Sequence, residues 1–224
     1  MKVASHACAV VEHRWVNARY KYLRLAAPAP LAAATVAGQF FQLACPVSDA
    51  ARPFLRRPMS VYGIGPEPDR LEFLYHVKGL GTRALEQLAP GGSLTVMGPL
   101  GRGFSFSPGW KRVLLVARGV GLATMAPVVP LAARAGVAVT ALLSARSPGD
   151  LMAQEFLRGA PAQVHAVFDS DGSSALEQQM ACAMGVCLSC VRLFDEDGER
   201  IFRRVCCEGP VFPLGAVAGE VQFG

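Results

Sequence analysis

Val113-Leu114-Leu115-Val116-Ala117-Arg118-Gly119-Val120-Gly121-Leu122-Ala123 divides this chain into two kinds of sequence. Residues 113–117 form a continuous apolar run, the pattern of a strand buried on both faces. A Gly-x-Gly turn follows, and a helical stretch continues to Ala135. Two further buried strands fit residues 137–143 and 163–168. Strand alternating with helix predicts βαβ connections and a parallel sheet. Gly119-Val120-Gly121 stands where a backbone can approach a phosphate, but the bare pattern serves equally as a tight βα connection.

Upstream of this point the sequence reads as β. Short apolar and β-branched segments occupy residues 9–16, 20–25, 39–43, 59–64, 71–77 and 93–97. Breakers separate them: Pro28-Ala29-Pro30, Gly65-Pro66-Glu67-Pro68, Pro90-Gly91-Gly92 and Gly98-Pro99-Leu100-Gly101. Several short strands with frequent turn signals predict a small antiparallel barrel. A short helix fits residues 81–88, between two of the strands.

Downstream the chain reads Met180-Ala181-Cys182-Ala183-Met184-Gly185-Val186-Cys187-Leu188-Ser189-Cys190, with a further cysteine at Cys206. C-x4-C-x2-C…C is the plant-type spacing for a 2Fe–2S cluster held by four thiolates. The four-residue gap loops around one side of a small cluster, and the two-residue gap returns a third sulfur from a tight turn. Gly185 can take φ > 0 and let amide N–H groups approach the sulfurs. Four-thiolate zinc more often uses two paired cysteine knuckles, and only Cys187 and Cys190 make such a pair. An odd count of seven cysteines without a secretory leader speaks against a disulfide framework. Cys206 and Cys207 are both candidates for the fourth ligand. Cys8 and Cys45 stand alone and read as small buried hydrophobes.

An apolar content of 52% against 17% charged residues excludes disorder. The mean hydropathy of +0.32 fits a core plus a partner-facing surface, or simply an alanine-rich chain. No membrane span is expected. Residues 25–48 are uncharged but broken by Pro28, Pro30, Gly38 and Pro46, and residues 119–133 are too short. The net charge of +5 comes from dispersed basic residues, mostly Arg, with no stripe of the kind that grips nucleic acid. Dispersed guanidinium groups suit phosphate-bearing cofactors better. No nucleophile–base pair is evident, so no catalytic residue is assigned. His6, His13, His76 and His165 are scattered.

Arg57-Pro58-Met59-Ser60 leads into a strand, and Leu74-Tyr75-His76-Val77-Lys78-Gly79-Leu80-Gly81-Thr82 ends one. Together these resemble the flavin half of the ferredoxin-reductase superfamily. Gly38-Gln39-Phe40 and Gly98-Pro99-Leu100-Gly101-Arg102-Gly103-Phe104 match it too. The resemblance implies FAD bound by Arg57, Pro58, Met59, Ser60, Leu74, Tyr75, His76, Gly81 and Thr82. In it Arg57 grips the pyrophosphate, Ser60 sits near the flavin ring, and Gly81-Thr82 present backbone amides to the phosphates.

With the cysteine segment, the match narrows to the electron-transfer subunit family of NAD-dependent dihydroorotate dehydrogenases. Arg204-Val205-Cys206-Cys207-Glu208-Gly209-Pro210-Val211-Phe212 resembles that family's ending, R-V-C-x-x-G-P-V-F. The alignment implies Cys206, not Cys207, as the ligand beside Cys182, Cys187 and Cys190. The implied fold is α+β and multi-domain. An antiparallel Greek-key β-barrel for FAD spans 1–106, a shortened α/β nucleotide-binding-like domain 107–173, and a small 2Fe–2S domain 174–224. The implied role is electron transfer in pyrimidine biosynthesis. Dihydroorotate is oxidised on FMN in a separate catalytic subunit, and electrons cross the cluster to FAD and on towards NAD. A cytoplasmic hetero-oligomer, in the family a heterotetramer, is implied. A free-standing NAD(P)H-dependent reductase and a non-catalytic remnant subunit are the alternatives.

Two departures from the family pattern bear on NAD. Arg118 replaces a glycine of the family's glycine-rich nucleotide loop. Asp169-Ser170-Asp171-Gly172-Ser173 is followed directly by the lead-in to the cysteines, without the intervening helix, strand and Cys-Gly-Pro segment of relatives. NAD reduction by this chain is therefore expected to be weak or absent.

Overall fold

The computed structural model describes residues 3–48, 52–63, 69–152, 162–168, 191–196 and 198–208. Six strands close into an antiparallel barrel: β1 (Ala4–Trp15), β2 (Tyr20–Ala26), β3 (Phe40–Leu43), β4 (Arg57–Gly63), β5 (Arg70–His76) and β6 (Ser93–Leu100). Their order around the barrel is β1-β2-β5-β4-β3-β6, a Greek-key path. The six segments anticipated from alternation are all present, with ends moved by a few residues.

The two-residue period of each strand separates two cores. Leu23, Leu25, Phe41, Leu43, Val61, Leu71, Phe73, Tyr75, Leu94 and Val96 point inward and fill the barrel. Phe41 and Phe73 meet edge-on at its centre, with ring centroids 5.9 Å apart. A register shift between Val10 and Glu12 in β1 leaves Val11 exposed while Cys8 and Val10 stay inside. The intervening residues Tyr20, Tyr22, Tyr62 and Leu74 point outward from β2, β4 and β5 into a second core.

That second core belongs to a parallel sheet of order β7-β8-β9, formed by β7 (Arg112–Arg118), β8 (Ala138–Ala145) and β9 (Ala162–Phe168). Leu115, Ala117, Val139, Ala141 and Leu143 pack with Leu122, Ala126, Val129 and Ala132 against the outer tyrosines of the barrel. The sheet and barrel are thus joined through apolar contact, which positions everything described below.

Three expectations are corrected. The helical stretch to Ala135 is two helices, α3 (Gly121–Met125) and α4 (Val128–Arg134). Pro127 between them lacks an N–H and its ring crowds the preceding turn. The β7 run is buried on one face only: Leu114 is 62% and Val116 55% exposed. With three strands and both helices on one side, the described residues leave the other face open. Pro28-Ala29-Pro30 does not simply break the chain. It opens a helix, α1 (Ala29–Ala33), because proline fits the first helical turn, where its missing N–H has no intrahelical partner. The helix after β5, α2 (Leu80–Glu86), stands where expected.

A hairpin of β10 (Val191–Glu196) and β11 (Glu199–Arg204) turns at Gly198, whose φ is +86°. A short helix, α5 (Val205–Glu208), follows directly. Cys182, Cys187 and Cys190 lie outside the described residues.

Candidate functional site

β4 and β5 run side by side with Val61 opposite Phe73, and both lie against α3. The outward residues of β4 and β5 and the turn into α3 therefore lie where barrel and parallel sheet meet, and the turn into α2 follows β5 directly. Every barrel residue singled out from sequence lies along these elements.

Arg57 opens β4 opposite Leu43. Its guanidinium donates to the carbonyls of Leu55 and Arg56, which holds the side chain folded back over the start of α2. A Cβ added to Gly81 would overlap that guanidinium. Glycine lets the guanidinium approach this closely, and a larger residue would push it aside. Thr82 shapes the same turn. Its hydroxyl accepts the N–H groups of Lys78 (2.9 Å) and Gly79 (3.1 Å) and donates to the Gly79 carbonyl (3.0 Å). Thr82 is thereby committed to its own turn, and the charge at this end of the site is the guanidinium's.

Pro58 and Ser60 share the outward face of β4 with their partners on β3, Gln42 and Phe40. Met59 packs against the barrel core instead. Ser60 is half-buried, and its hydroxyl accepts a hydrogen bond from Thr124 in α3 at 2.7 Å. On β5, Leu74 is buried in the shared core. The Tyr75 side chain is 1% exposed inside the barrel, so only its main chain faces the crevice. His76 faces outward, with its ring centroid 5.0 Å from that of Tyr20. The Tyr20 hydroxyl in turn closes on the nucleotide-loop glycine, 3.1 Å from where a Gly119 Cβ would stand.

Behind Tyr75 is His13. Its Nδ1 faces the Leu88 carbonyl at 2.8 Å, so that nitrogen carries the proton. Nε2 then accepts the Tyr75 O–H at 2.8 Å. Burial lowers the His13 pKa more than the Leu88 carbonyl raises it, with smaller opposing effects from Lys21 and Glu86. Burial pushes the Tyr75 phenol well up, and Glu86 and Cys45 add to this. Cys8 is buried as expected, and its thiol is pushed up to about 11. Cys45 is only half-buried. Burial raises its pKa and the charge of Arg57 opposes that.

Two orphaned polar atoms lie beside these residues: Arg56 Nη1 and Gln42 Oε1 are buried without a hydrogen-bond partner among the described residues. A buried guanidinium nitrogen without an acceptor favours an anion nearby. Together with the Arg57 guanidinium drawn over Gly81, this fits a phosphate-bearing flavin. The dinucleotide turn fits less well. Arg118 Nη1 donates to Ser144 Oγ at 2.7 Å, and the Gly119 N–H donates to the Ser144 carbonyl at 3.2 Å. The side chain thus spans the C-terminal ends of β7 and β8, the edge at which parallel sheets receive dinucleotides.

At the other end of the chain, Cys206 sits in α5, and Cys207 is exposed. Glu208 ties α5 back onto β11. Its carboxylate accepts the Arg204 N–H (3.1 Å), Arg204 Nε (3.2 Å) and Arg203 Nη1 (3.0 Å). The Arg204 N–H and guanidinium lower the Glu208 pKa. The hairpin and this clamp were not anticipated from sequence, nor were Tyr20, Thr124 and Ser144.

Comparison with known proteins accords with this arrangement. Residues 177–218 match the iron–sulfur cluster binding domain of dihydroorotate dehydrogenase B. The electron transfer subunit of dihydroorotate dehydrogenase B (NAD(+)) from Desulforamulus reducens is 29% identical, over 89% of this chain and 92% of its own length. The corresponding subunit from a Geobacillus species is 27% identical over 80% of this chain and 86% of its own. Among solved structures, one of an NADH-dependent reduced ferredoxin-NADP oxidoreductase superposes with a TM-score of 0.72. It shares 20% identity, over 92% of this chain and 87% of that chain. The cytochrome b5 reductase domain of Ulva prolifera nitrate reductase superposes at 0.61, with 16% identity over 74% and 73% of the two chains. A reductase-type barrel, a shortened parallel sheet and a cluster-binding segment, in that order, give this chain its resemblance to the electron transfer subunits of dihydroorotate dehydrogenase B.

Proposed function

We propose that this chain is an electron-transfer subunit carrying FAD and a 2Fe–2S cluster. It relays electrons from dihydroorotate, oxidised on an FMN-containing partner subunit, through the cluster to its own FAD. The observation that supports this best is the Arg57 guanidinium drawn over Gly81, on the strand that also carries Ser60, in a chain that matches the cluster-binding domain.

The flavin, when bound, supplies the ability to take electrons singly or in pairs. The residues supply position. Arg57 neutralises phosphate charge above the Gly81 backbone, as a guanidinium fork does well. Pro58, Ser60 and the main chain of Leu74-Tyr75-His76 would hold the flavin ring. Tyr20, Tyr62 and Leu74 dry the base of the crevice and hold sheet and barrel together. Cys182, Cys187, Cys190 and Cys206 hold the cluster. Glu208 fixes the backbone at Arg204, two residues before Cys206.

A heterotetramer with the FMN subunit is the expected assembly. Co-expression of the two chains, followed by sizing and by mixing with dihydroorotate, tests it. Bleaching of both flavins in a co-eluting complex supports the reading. A stable monomer that ignores that subunit and oxidises NADH quickly would point to a free-standing reductase instead.

A further inference from the structure

Thr124 stands outside every motif that identifies the flavin site, yet its hydroxyl is 2.7 Å from that of Ser60. The pair is separated by 64 residues and bridges the two halves of the molecule, β4 of the barrel and α3 of the parallel sheet. A threonine hydroxyl within a helix ordinarily bonds back to a carbonyl of the preceding turn. Here it is turned away and donated across the crevice. Both side chains are half-buried.

A serine hydroxyl has one proton and two lone pairs. With one lone pair occupied by Thr124, the rotation of the Ser60 hydroxyl is restricted. Its proton has no other assigned acceptor among the described residues. We propose that Thr124 is a positioning residue for the flavin: it holds the Ser60 hydroxyl so that the serine proton points to the ring edge. This rests on the flavin reading above. It adds that the parallel-sheet domain, and not the barrel alone, sets the polar contact at the flavin. A sheet domain that has lost its dinucleotide role would still be kept for this contact, since α3 carries Thr124.

The experiment uses the full chain, stripped of flavin and titrated with FAD, in four forms beside wild type: Thr124→Val, Thr124→Ser, Ser60→Ala and the Ser60→Ala/Thr124→Val pair. Affinity is read by quenching of FAD fluorescence, the ring environment by the fine structure of the bound-flavin absorption, and fold by the thermal midpoint of the flavin-free chain. Valine keeps the shape of threonine and removes the donor. Loss of one hydrogen bond corresponds to about a five- to ten-fold weaker binding. Thr124→Val is expected to show that loss with an altered absorption envelope, and Thr124→Ser to restore both. In the Ser60→Ala background the valine substitution is expected to add nothing, because Thr124 acts through Ser60. A general folding defect would persist in that background, so an equal loss there overturns the proposal. So does a Thr124→Val chain that binds FAD with wild-type affinity and spectrum. A wild-type chain that takes up no FAD overturns the flavin reading itself, and this inference with it.

Discussion

The Arg57 guanidinium lies across the backbone of Gly81, so closely that a methyl group on Gly81 would occupy the same space. Two sequence segments 24 residues apart are thereby brought to one point, where a positive charge covers the backbone of a buried glycine. Gly81 has an ordinary helical conformation within α2. Alanine there would favour the helix by roughly 1 kcal/mol, so any loss of function must come from displacing the guanidinium. Gly81→Ala is expected to weaken FAD binding by about ten-fold without lowering the melting temperature. Arg57→Ala removes a charge-assisted contact of about 1.5–3 kcal/mol and is expected to cost about ten-fold or more. Because both act on one contact, the double variant should fall little further than Arg57→Ala. Fluorescence titration of the stripped chain measures all three.

The two adjacent cysteines are expected to behave differently. Cys207 is exposed at the surface of α5. Cys207→Ser should retain the cluster. Cys206→Ser should lose or weaken it, read as iron and acid-labile sulfide per chain after anaerobic purification. Glu208→Gln should also loosen the cluster, since it removes the carboxylate that binds the Arg204 N–H and both neighbouring guanidinium groups. Iron retained in Cys206→Ser and lost in Cys207→Ser would reverse the ligand assignment.

His13 is expected to make the barrel acid-sensitive. Burial holds its folded pKa below the ordinary histidine value of 6.5, so the unfolded chain binds the extra proton first as pH falls. Its contribution to stability is intact above that unfolded value. It is lost progressively as pH drops towards the folded one, and then levels off. A protonated ring would also turn Nε2–H against the Tyr75 hydroxyl it now accepts from. The melting temperature of the wild type should fall between pH 7.5 and 5.5 more steeply than that of His13→Gln. Equal slopes would remove His13 as the cause.

Direct reduction of the flavin by NADH is expected to be slow. Hydride transfer needs the reacting atoms within about 3–3.5 Å, hence a nicotinamide stacked on the ring. Here Arg118 is drawn to Ser144 across the strand ends at which the dinucleotide would enter. Stopped-flow mixing with NADH, watching flavin bleaching, measures this. Arg118→Gly should increase the rate if the side chain is the obstacle. Fast bleaching of the wild type at micromolar NADH would show that a complete reductase survives in the shortened chain.

The barrel was legible because alternation is a local property. Leu23 and Leu25 against Tyr20 and Tyr22 already announce two faces, though not that the tyrosines would face a second domain. The β7 run misled because Leu114 and Val116 are as apolar as Leu115, and only the number of strands and helices decides which face is covered. Pro28-Ala29-Pro30 misled because proline both ends and begins helices. The Arg57 and Gly81 motifs could be recognised, but the overlap that couples them is visible only in three dimensions. Thr124–Ser60 and Arg118–Ser144 were out of reach altogether. The first depends on how two domains dock, and the second on parallel pairing that sets Arg118 beside Ser144.

If one chain holds a flavin in its barrel and a 2Fe–2S cluster in its last segment, both groups colour the protein. The most direct measurement is a visible absorption spectrum of anaerobically purified protein, before and after dithionite, with flavin and metal analysis of the same sample. FAD and one 2Fe–2S cluster per chain are expected, both bleached by the reductant. Stoichiometric zinc without iron, FMN in place of FAD, or a colourless protein that takes up neither group would contradict it.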